Sequence, residues 1–245
     1  MTHTFIDRPS PNSGARKLVN GVVGVRHLVV HYTGMESCNQ ALDRLCDETA
    51  SVSAHYLVDE DGSIYQMVPE DLRAWHAGMS FWGGVRDLNS TSIGIEMVNP
   101  GHDHGYRPFP HPQMEAFTRL ARDIMERHDI PPTCVLGHSD IAPGRKFDPG
   151  ELFPWKRLAA EGIGAWPANA KSREDEPDAT ASLGQLSAIG YAVPLSPDQG
   201  ADILSPTTGS ADVIGAFQRR YRPDRVDGVL DPETAGLIEV VSAFP

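Results

Sequence analysis

The sequence contains little cysteine: three residues in a chain of 245, at Cys38, Cys46 and Cys134. Their number is odd, and no two of them form a Cys-x-x-Cys pair. Such spacing excludes a disulfide framework and argues against a thiolate metal cage. We therefore expect three buried free thiols that pack as small apolar side chains.

The chain also lacks long apolar runs and an excess of basic residues. No segment approaches the roughly 18 consecutive apolar residues that a membrane helix needs, so we expect no transmembrane segment. The 21 Lys and Arg residues are outnumbered by 33 Asp and Glu residues, which gives a formal net charge of −12. Because nucleic-acid binding depends largely on neutralising phosphates, this balance argues against a nucleic-acid partner.

The motifs of several common enzyme classes are missing as well. The sequence has no His-Glu-x-x-His, Gly-x-Ser-x-Gly or Ser-x-x-Lys motif and no phosphate-binding Gly-rich loop. These absences argue against the common proteases, esterases and nucleotide-binding proteins.

What is present alternates between strand and helix patterns. Short β-branched apolar runs predict buried strands at residues 25–33, 91–99 and 134–138. Apolar residues at helical spacing predict helices over residues 36–48 and 111–130. Two strand-like runs flank Asp61-Gly62, a dipeptide that tolerates the positive φ angles of a tight hairpin turn. The mixture predicts an α/β domain.

The composition changes after this region, and we expect three parts. Residues 1–165 form the α/β domain. Residues 166–182 are polar and contain prolines, which is typical of a linker. Residues 183–245 contain three short helical patterns and predict a small three-helix domain, close to the smallest size that is stable alone.

The strongest chemical signal is the segment GHSDIAPGRKFDPG, residues 137–150. His138 is followed by Lys146 and Asp148 across a loop rich in glycine and proline. A loop that leaves the end of a strand can direct such side chains into one pocket. Imidazole nitrogen and carboxylate oxygen are both good zinc ligands, and a catalytic zinc needs three of them.

Two further residues stand on predicted strands. His31 ends the run 25–33, where a histidine serves either as a metal ligand or as a hydrogen-bonded structural residue. Glu96 lies in the apolar strand 91–99, where an unpaired carboxylate is costly to bury. It therefore either forms a salt bridge or a hydrogen bond to the backbone, or acts as a general base whose pKa is raised by burial.

The chain resembles the type 2 N-acetylmuramoyl-L-alanine amidases, the AmpD/AmiD-like family. The resemblance rests on VVHYTG, SAHYLVDEDGSIYQMVPE, AWHAG, TSIGIEMVN and GHSDIAPGRKFDPG, which occur in the family's order over residues 25–160. It implies a mixed central sheet flanked by helices and one Zn²⁺ per chain. It further implies that His31, His138 and Asp148 bind the zinc, with Glu96 as general base and Lys146 as oxyanion stabiliser.

The resemblance also bears on substrate contacts. His76, in AWHAG, matches a family position that lines the substrate cleft, and Trp75 beside it contacts either substrate or core. His55 faces either the site or the interior. His102, His104 and His111 lie in a polar loop without a carboxylate at family spacing, so we expect them to be solvated.

The implied reaction is hydrolysis of the amide bond between the muramic acid lactyl group and L-alanine, in peptidoglycan or in (anhydro)muropeptides. The alternative is a binding-only peptidoglycan-recognition module. The segment AFQRRYRPDRVDGVLDPETAGLI resembles a peptidoglycan-binding domain with its FQ…DG…T pattern. Such a domain favours the cell envelope, whereas the N-terminal residues show no apolar signal region. The sequence leaves compartment and oligomeric state undecided.

Overall fold

The computed structural model describes residues 4–168, 170–193 and 208–245. Its strands are β1 (Phe5–Asp7), β2 (Ser13–Ala15), β3 (His27–Tyr32), β4 (Tyr56–Val58), β5 (Ile64–Gln66), β6 (Leu72–Ala74), β7 (Ser92–Met97) and β8 (Val135–Gly137). The α-helices in these ranges are α1 (Cys38–Cys46), α2 (Leu88–Thr91), α3 (His111–His128), α4 (His138–Ile141), α5 (Trp155–Ala160), α6 (Ala179–Ile189), α7 (Ser210–Tyr221) and α8 (Pro232–Ser242).

Six strands form one mixed sheet in the order β1-β5-β4-β7-β3-β8, and β2 pairs with β6 in a separate antiparallel ribbon. Strand β3 lies between β7 and β8 and is parallel to both. The predicted hairpin is present as antiparallel β4 and β5, and Gly62 supplies the positive φ angle of its turn. The predicted mixed α/β fold is confirmed.

The first face of the sheet carries the larger apolar core. Leu28 and Val30 of β3 point to this face and are fully buried. Helix α3 covers them with Phe117, Leu120 and Ile124, which recur at helical spacing. Each such side chain contributes about 1.5–3 kcal/mol when it leaves water. Helix α3 ends at His128, two residues before the predicted end, because Asp129 adopts a left-handed conformation.

The second face of the sheet packs against the C-terminal helices. Val29 of β3 and Leu136 of β8 belong to the same buried cluster as Leu186, Phe217 and Ile238 of α6, α7 and α8. The C-terminal helices therefore share a core with the sheet. Helix α6 already begins at Ala179, inside the predicted linker, because the Asp178 side chain caps it by accepting from the backbone N–H groups of Thr180 and Ala181.

The three cysteines are free, but they are half-buried rather than buried. Desolvation at Cys38 raises the pKa of its thiol to about 12, so it stays protonated at neutral pH. In the part of the chain that the structure describes, none of the helices combines the length and apolar character needed to cross a membrane.

Candidate metal centre and active site

Three side chains from distant parts of the sequence meet at one end of the sheet. The Nδ1 atoms of His31 and His138 are 2.9 Å apart, and each lies 3.0 Å from Oδ2 of Asp148. All three residues are buried. Within the described ranges they are the one group of three side chains placed to hold a metal ion.

Parallel strands bring the two histidines together. His31 lies near the carboxyl end of β3, and His138 directly follows β8, which is the neighbouring parallel strand. The loop after α4 returns Asp148 to them, and the Asp148 carbonyl accepts a hydrogen bond of 2.9 Å from the backbone N–H of Ser139. Sequence spacing alone predicts that His138 and Asp148 lie close together, but it does not predict that His31 joins them.

The donor set suits zinc. A tetrahedral zinc with ligands at about 2.0–2.2 Å separates its donor atoms by roughly 3.3–3.5 Å. The observed spacing is a few tenths of an ångström tighter, which small side-chain rotations can supply. Nε2 of His138 lies 3.1 Å from the Ala77 carbonyl oxygen, which can only accept. That ring therefore carries its proton on Nε2, and its Nδ1 lone pair faces the other two donors.

The charges also suit a metal. Burial alone would raise the pKa of Asp148, but the proximity of the His138 and His31 rings outweighs it and holds that pKa far below its usual range. Desolvation, with repulsion from His138, lowers the pKa of His31 to about 4. At neutral pH the carboxylate is ionised and the His31 ring is neutral, the states that metal ligation requires.

Glu96 stands beside this cluster in an environment of the opposite kind. It pairs with His31 in the register between β7 and β3, so both side chains point to the same face. Its Oε2 atom is buried and finds no hydrogen-bond partner among the described residues. Burial, followed by repulsion from Asp148, raises the pKa of Glu96 well above its usual value. A carboxylate with a buried, unpartnered oxygen of this kind is typical of a general base.

A cavity of about 430 Å³ joins these groups. Its lining includes the three metal-ligand candidates together with Glu96 and Lys146. Lys146 is close enough to Glu96 to oppose the rise in its pKa. The cavity therefore brings a carboxylate and an ammonium group to the same space as the candidate metal centre.

The three predicted substrate contacts differ in position. Trp75 and His76 line the cavity. His55 does not: it is fully buried, its Nδ1 accepts from the Gly94 backbone N–H at 2.9 Å, and its Nε2 lies 3.1 Å from the Leu72 carbonyl. Both of its ring nitrogens are used within the protein, so the prediction that His55 contacts substrate is corrected to a structural role.

Sequence reasoning missed other parts of the cavity wall. Tyr32 and Phe147 line it, each directly next to a metal-ligand candidate in the sequence. That adjacency is the signal that could have identified them. Arg44 of α1 and Arg145 also line it. Arg145 donates to the Ala77 carbonyl at 2.9 Å, a contact that no sequence pattern indicates. In the neighbouring polar loop, His102 contacts Tyr32 and Glu151.

A mixed sheet with a buried His-His-Asp cluster that could hold a metal ion, and a glutamate in the same cavity, is an arrangement typical of hydrolases. The sequence model of the N-acetylmuramoyl-L-alanine amidase family matches residues 22–151. N-acetylmuramoyl-L-alanine amidase AmiD of Escherichia coli (strain K12) is 40% identical over 236 residues, covering 89% of this chain and 82% of AmiD.

Solved structures agree with this relationship. E. coli AmiD, in complex with the substrate anhydro-N-acetylmuramic acid-L-Ala-D-gamma-Glu-L-Lys, superimposes with a TM-score of 0.75 at 37% identity, covering 92% of each chain. AmpDh3 from Pseudomonas aeruginosa, in complex with anhydromuramic pentapeptide, gives a TM-score of 0.76 at 34% identity, covering 91% of this chain and 94% of AmpDh3. The chain belongs to the N-acetylmuramoyl-L-alanine amidase family and is an enzyme of that class.

Proposed function

We propose that this enzyme is zinc-dependent and hydrolyses the amide bond between the muramic acid lactyl group and the L-alanine of the stem peptide. The observation that carries this proposal is the unpaired carboxylate of Glu96 in the same cavity as the His31, His138 and Asp148 cluster. A binding-only module would have no need of a buried carboxylate without a partner, which is costly to maintain.

Zinc held by His31, His138 and Asp148 would supply a Lewis acid that polarises the scissile carbonyl and acidifies water. Glu96 accepts one proton from the attacking water as its oxygen bonds to the carbonyl carbon. The same carboxyl group then gives that proton to the alanine nitrogen as the C–N bond breaks. The products are a lactyl carboxylic acid and a free amino group. The acid proton, which is the second proton of the water, then passes to the amine to give a carboxylate and an ammonium group, so atoms and charge balance.

Lys146 is proposed to stabilise the oxyanion of the tetrahedral intermediate. It lines the cavity and stands two residues before Asp148 in the loop. An ammonium group in a site that excludes water stabilises developing negative charge by about 3 kcal/mol. Trp75 is proposed to contact the substrate from the cavity wall.

The substrate class is proposed from the relatives. AmiD and AmpDh3 were both solved with an anhydromuropeptide. We therefore expect this enzyme to accept muropeptides, and we propose that it also acts on polymeric peptidoglycan because of its C-terminal helices.

The C-terminal part, residues 183–245, is proposed to bind peptidoglycan, while residues 1–165 carry the amidase. Its FQ…DG…T pattern forms an internal network. Gln218 is fully buried, accepts from the backbone N–H groups of Asp227 and Gly228, and donates to Thr234. These residues support the loop between α7 and α8, which exposes Val229. The loop surface, rather than the pattern residues, is proposed to contact the wall.

Wall binding can be tested with the full chain carrying Glu96→Gln, which prevents turnover. The protein is mixed with insoluble sacculi and sedimented. We expect it to sediment with the sacculi even when excess soluble anhydromuropeptide fills the catalytic cavity. Complete release by the soluble ligand would assign all binding to the cavity and contradict the proposed role of the C-terminal part.

The catalytic assignment is tested by separating metal content from turnover. The purified enzyme is expected to hold about one zinc and to release stem peptide from muropeptides. Asp148→Ala should lose zinc and activity together, because it removes one of three ligands. Glu96→Gln should retain zinc and lose about 10²–10⁴-fold in kcat, the usual contribution of a general base.

The matched control is Glu126→Gln, on an exposed position of α3, which should change neither quantity. Zinc loss from Glu96→Gln would show that Glu96 is a ligand and that its proposed role is wrong. A wild-type protein that holds zinc but releases no stem peptide would overturn the proposed function.

A further inference from the structure

The ring of His76 is buried between strand β7 and the metal-ligand candidate His31. Its Nδ1 lies 3.0 Å from Nε2 of His31, and its Nε2 lies 3.1 Å from Oγ of Ser92. A Cβ atom at Gly94 would stand 2.5 Å from the Cγ atom of this ring. The glycine in β7 therefore leaves the space that the His76 ring occupies.

The donor and acceptor of each of these hydrogen bonds can be assigned from the Leu88 carbonyl, at the end of the series farthest from His31. Oγ of Ser92 is 2.5 Å from the carbonyl oxygen of Leu88, which can only accept, so the hydroxyl proton of Ser92 points there. A hydroxyl has one proton, so Ser92 accepts from Nε2–H of His76. A neutral imidazole with its proton on Nε2 has a lone pair on Nδ1, and His76 therefore accepts from Nε2–H of His31.

These proton positions determine which nitrogen of His31 faces the metal centre. With its proton on Nε2, His31 presents the lone pair of Nδ1 to His138 and Asp148. The second ligand histidine is oriented in the same way, because Nε2 of His138 donates to the carbonyl of Ala77. His76 and Ala77 are adjacent, and the backbone N–H groups of both donate to Oδ1 of Asn89, at 2.9 and 2.7 Å.

We propose that His76 is a positioning residue: with Ala77 it forms a dipeptide, held by Asn89, that sets the tautomer and orientation of both ligand histidines. This inference rests on the proposed zinc site and replaces substrate contact as the main role of His76. The Leu88–Ser92–His76–His31 chain aims the Nδ1 lone pair of His31 at the ion. Partners of this kind commonly contribute 10–100-fold to metal affinity.

The test measures zinc affinity of the full-length protein by competition with a chromophoric chelator. In His76→Asn, Oδ1 takes the place of Nδ1 and can still accept from His31, whereas His76→Leu has similar bulk and no acceptor. We expect about 10–100-fold weaker zinc binding for His76→Leu and near wild-type affinity for His76→Asn. Ser92→Ala, which removes the acceptor for His76 Nε2–H, should weaken zinc binding several-fold.

The matched control applies the Asn and Leu substitutions to His55, a fully buried histidine next to His76 that does not contact a ligand. Both should leave zinc affinity unchanged. Circular dichroism of the metal-free proteins identifies the variants that fold. If His76→Leu does not fold, the zinc affinity of Ser92→Ala compared with that of the wild type tests the inference. Equal zinc affinity across the folded His76 and Ser92 variants would overturn this inference, whereas absence of zinc from the wild type would overturn the proposed function.

Discussion

At the scale of single residues, the site depends on two carboxylates, Asp148 and Glu96, whose environments differ. Asp148 faces two imidazoles and is ionised. Glu96 has a raised pKa, and its Oε2 atom makes no hydrogen bond to the described residues. When the pKa values of two titratable groups are shifted in opposite directions, one group can serve as a ligand and the other can transfer protons. The same burial that makes Glu96 costly to stability therefore makes it useful as a base.

Buried histidines away from the ligands predict a pH dependence of stability. Desolvation lowers the pKa of His27 to about 4 and that of His55 to about 3. Between pH 6.5 and about 4, the unfolded chain binds these protons and the folded chain does not. Stability is therefore complete above pH 6.5 and falls as the pH falls, by about 1.4 kcal/mol per pH unit for each histidine.

Urea unfolding of metal-free protein across this range measures the slope. His27→Gln should reduce this slope by about 1.4 kcal/mol per pH unit, which is the contribution of one proton. His104→Gln, at a residue that is exposed in the folded state, should leave it unchanged. An unchanged slope in His27→Gln would contradict the assignment of His27 as a neutral buried residue.

At the scale of elements, helix α7 holds the segment that carries His138. Arg220 of α7 donates to Oδ2 of Asp140 at 2.7 Å and to the Val135 carbonyl at 2.9 Å, and it lies over the ring of Trp155. Asp140 also accepts from the hydroxyl of Tyr191. Because the Arg220–Asp140 pair is buried, each partner satisfies a charge that would otherwise be isolated.

Arg220→Met keeps much of the side-chain volume and leaves Asp140 as a buried charge without its cation. We expect the free energy of unfolding to fall by about 3–5 kcal/mol. Chemical denaturation of the purified variant measures this loss. Arg173→Met, which breaks a solvent-exposed pair with Glu239, should cost less than about 1 kcal/mol. Equal, small losses in both variants would show that α7 does not hold this segment.

At the scale of the whole molecule, the C-terminal helices and the sheet form one buried cluster. Phe217 of α7 is fully buried in the cluster that contains Val29 and Leu136 of the sheet. The amidase part and the wall-binding part are thus a proposed division of function, and the two parts share one core. Such a shared core couples the stability of the two parts.

Calorimetry of the full chain should therefore show one cooperative unfolding transition. Phe217→Ala should lower the free energy of unfolding by about 3–5 kcal/mol and shift that single transition to lower temperature. Val229→Ala, at an exposed loop position, should shift it little. Two transitions, of which only one moves in Phe217→Ala, would show that the parts unfold independently.

The sequence by itself determined the features that depend on local patterns. Apolar periodicity indicated the strands around His31 and Glu96 and the amphipathic helix α3, because burial of one face imposes that spacing. The segment 137–150 placed His138 and Asp148 in one loop. Resemblance added His31, and the pairing of parallel β3 with β8 explains why it meets them.

Only the tertiary structure decided which residues share a space. The histidines at 55 and 76 look alike in sequence, yet one is enclosed by backbone partners and the other contacts a ligand histidine. Arg220 lies 80 positions from Asp140, and no spacing rule connects them. Contacts of this kind depend on how elements pack across the sheet, and packing is a property of the whole folded chain.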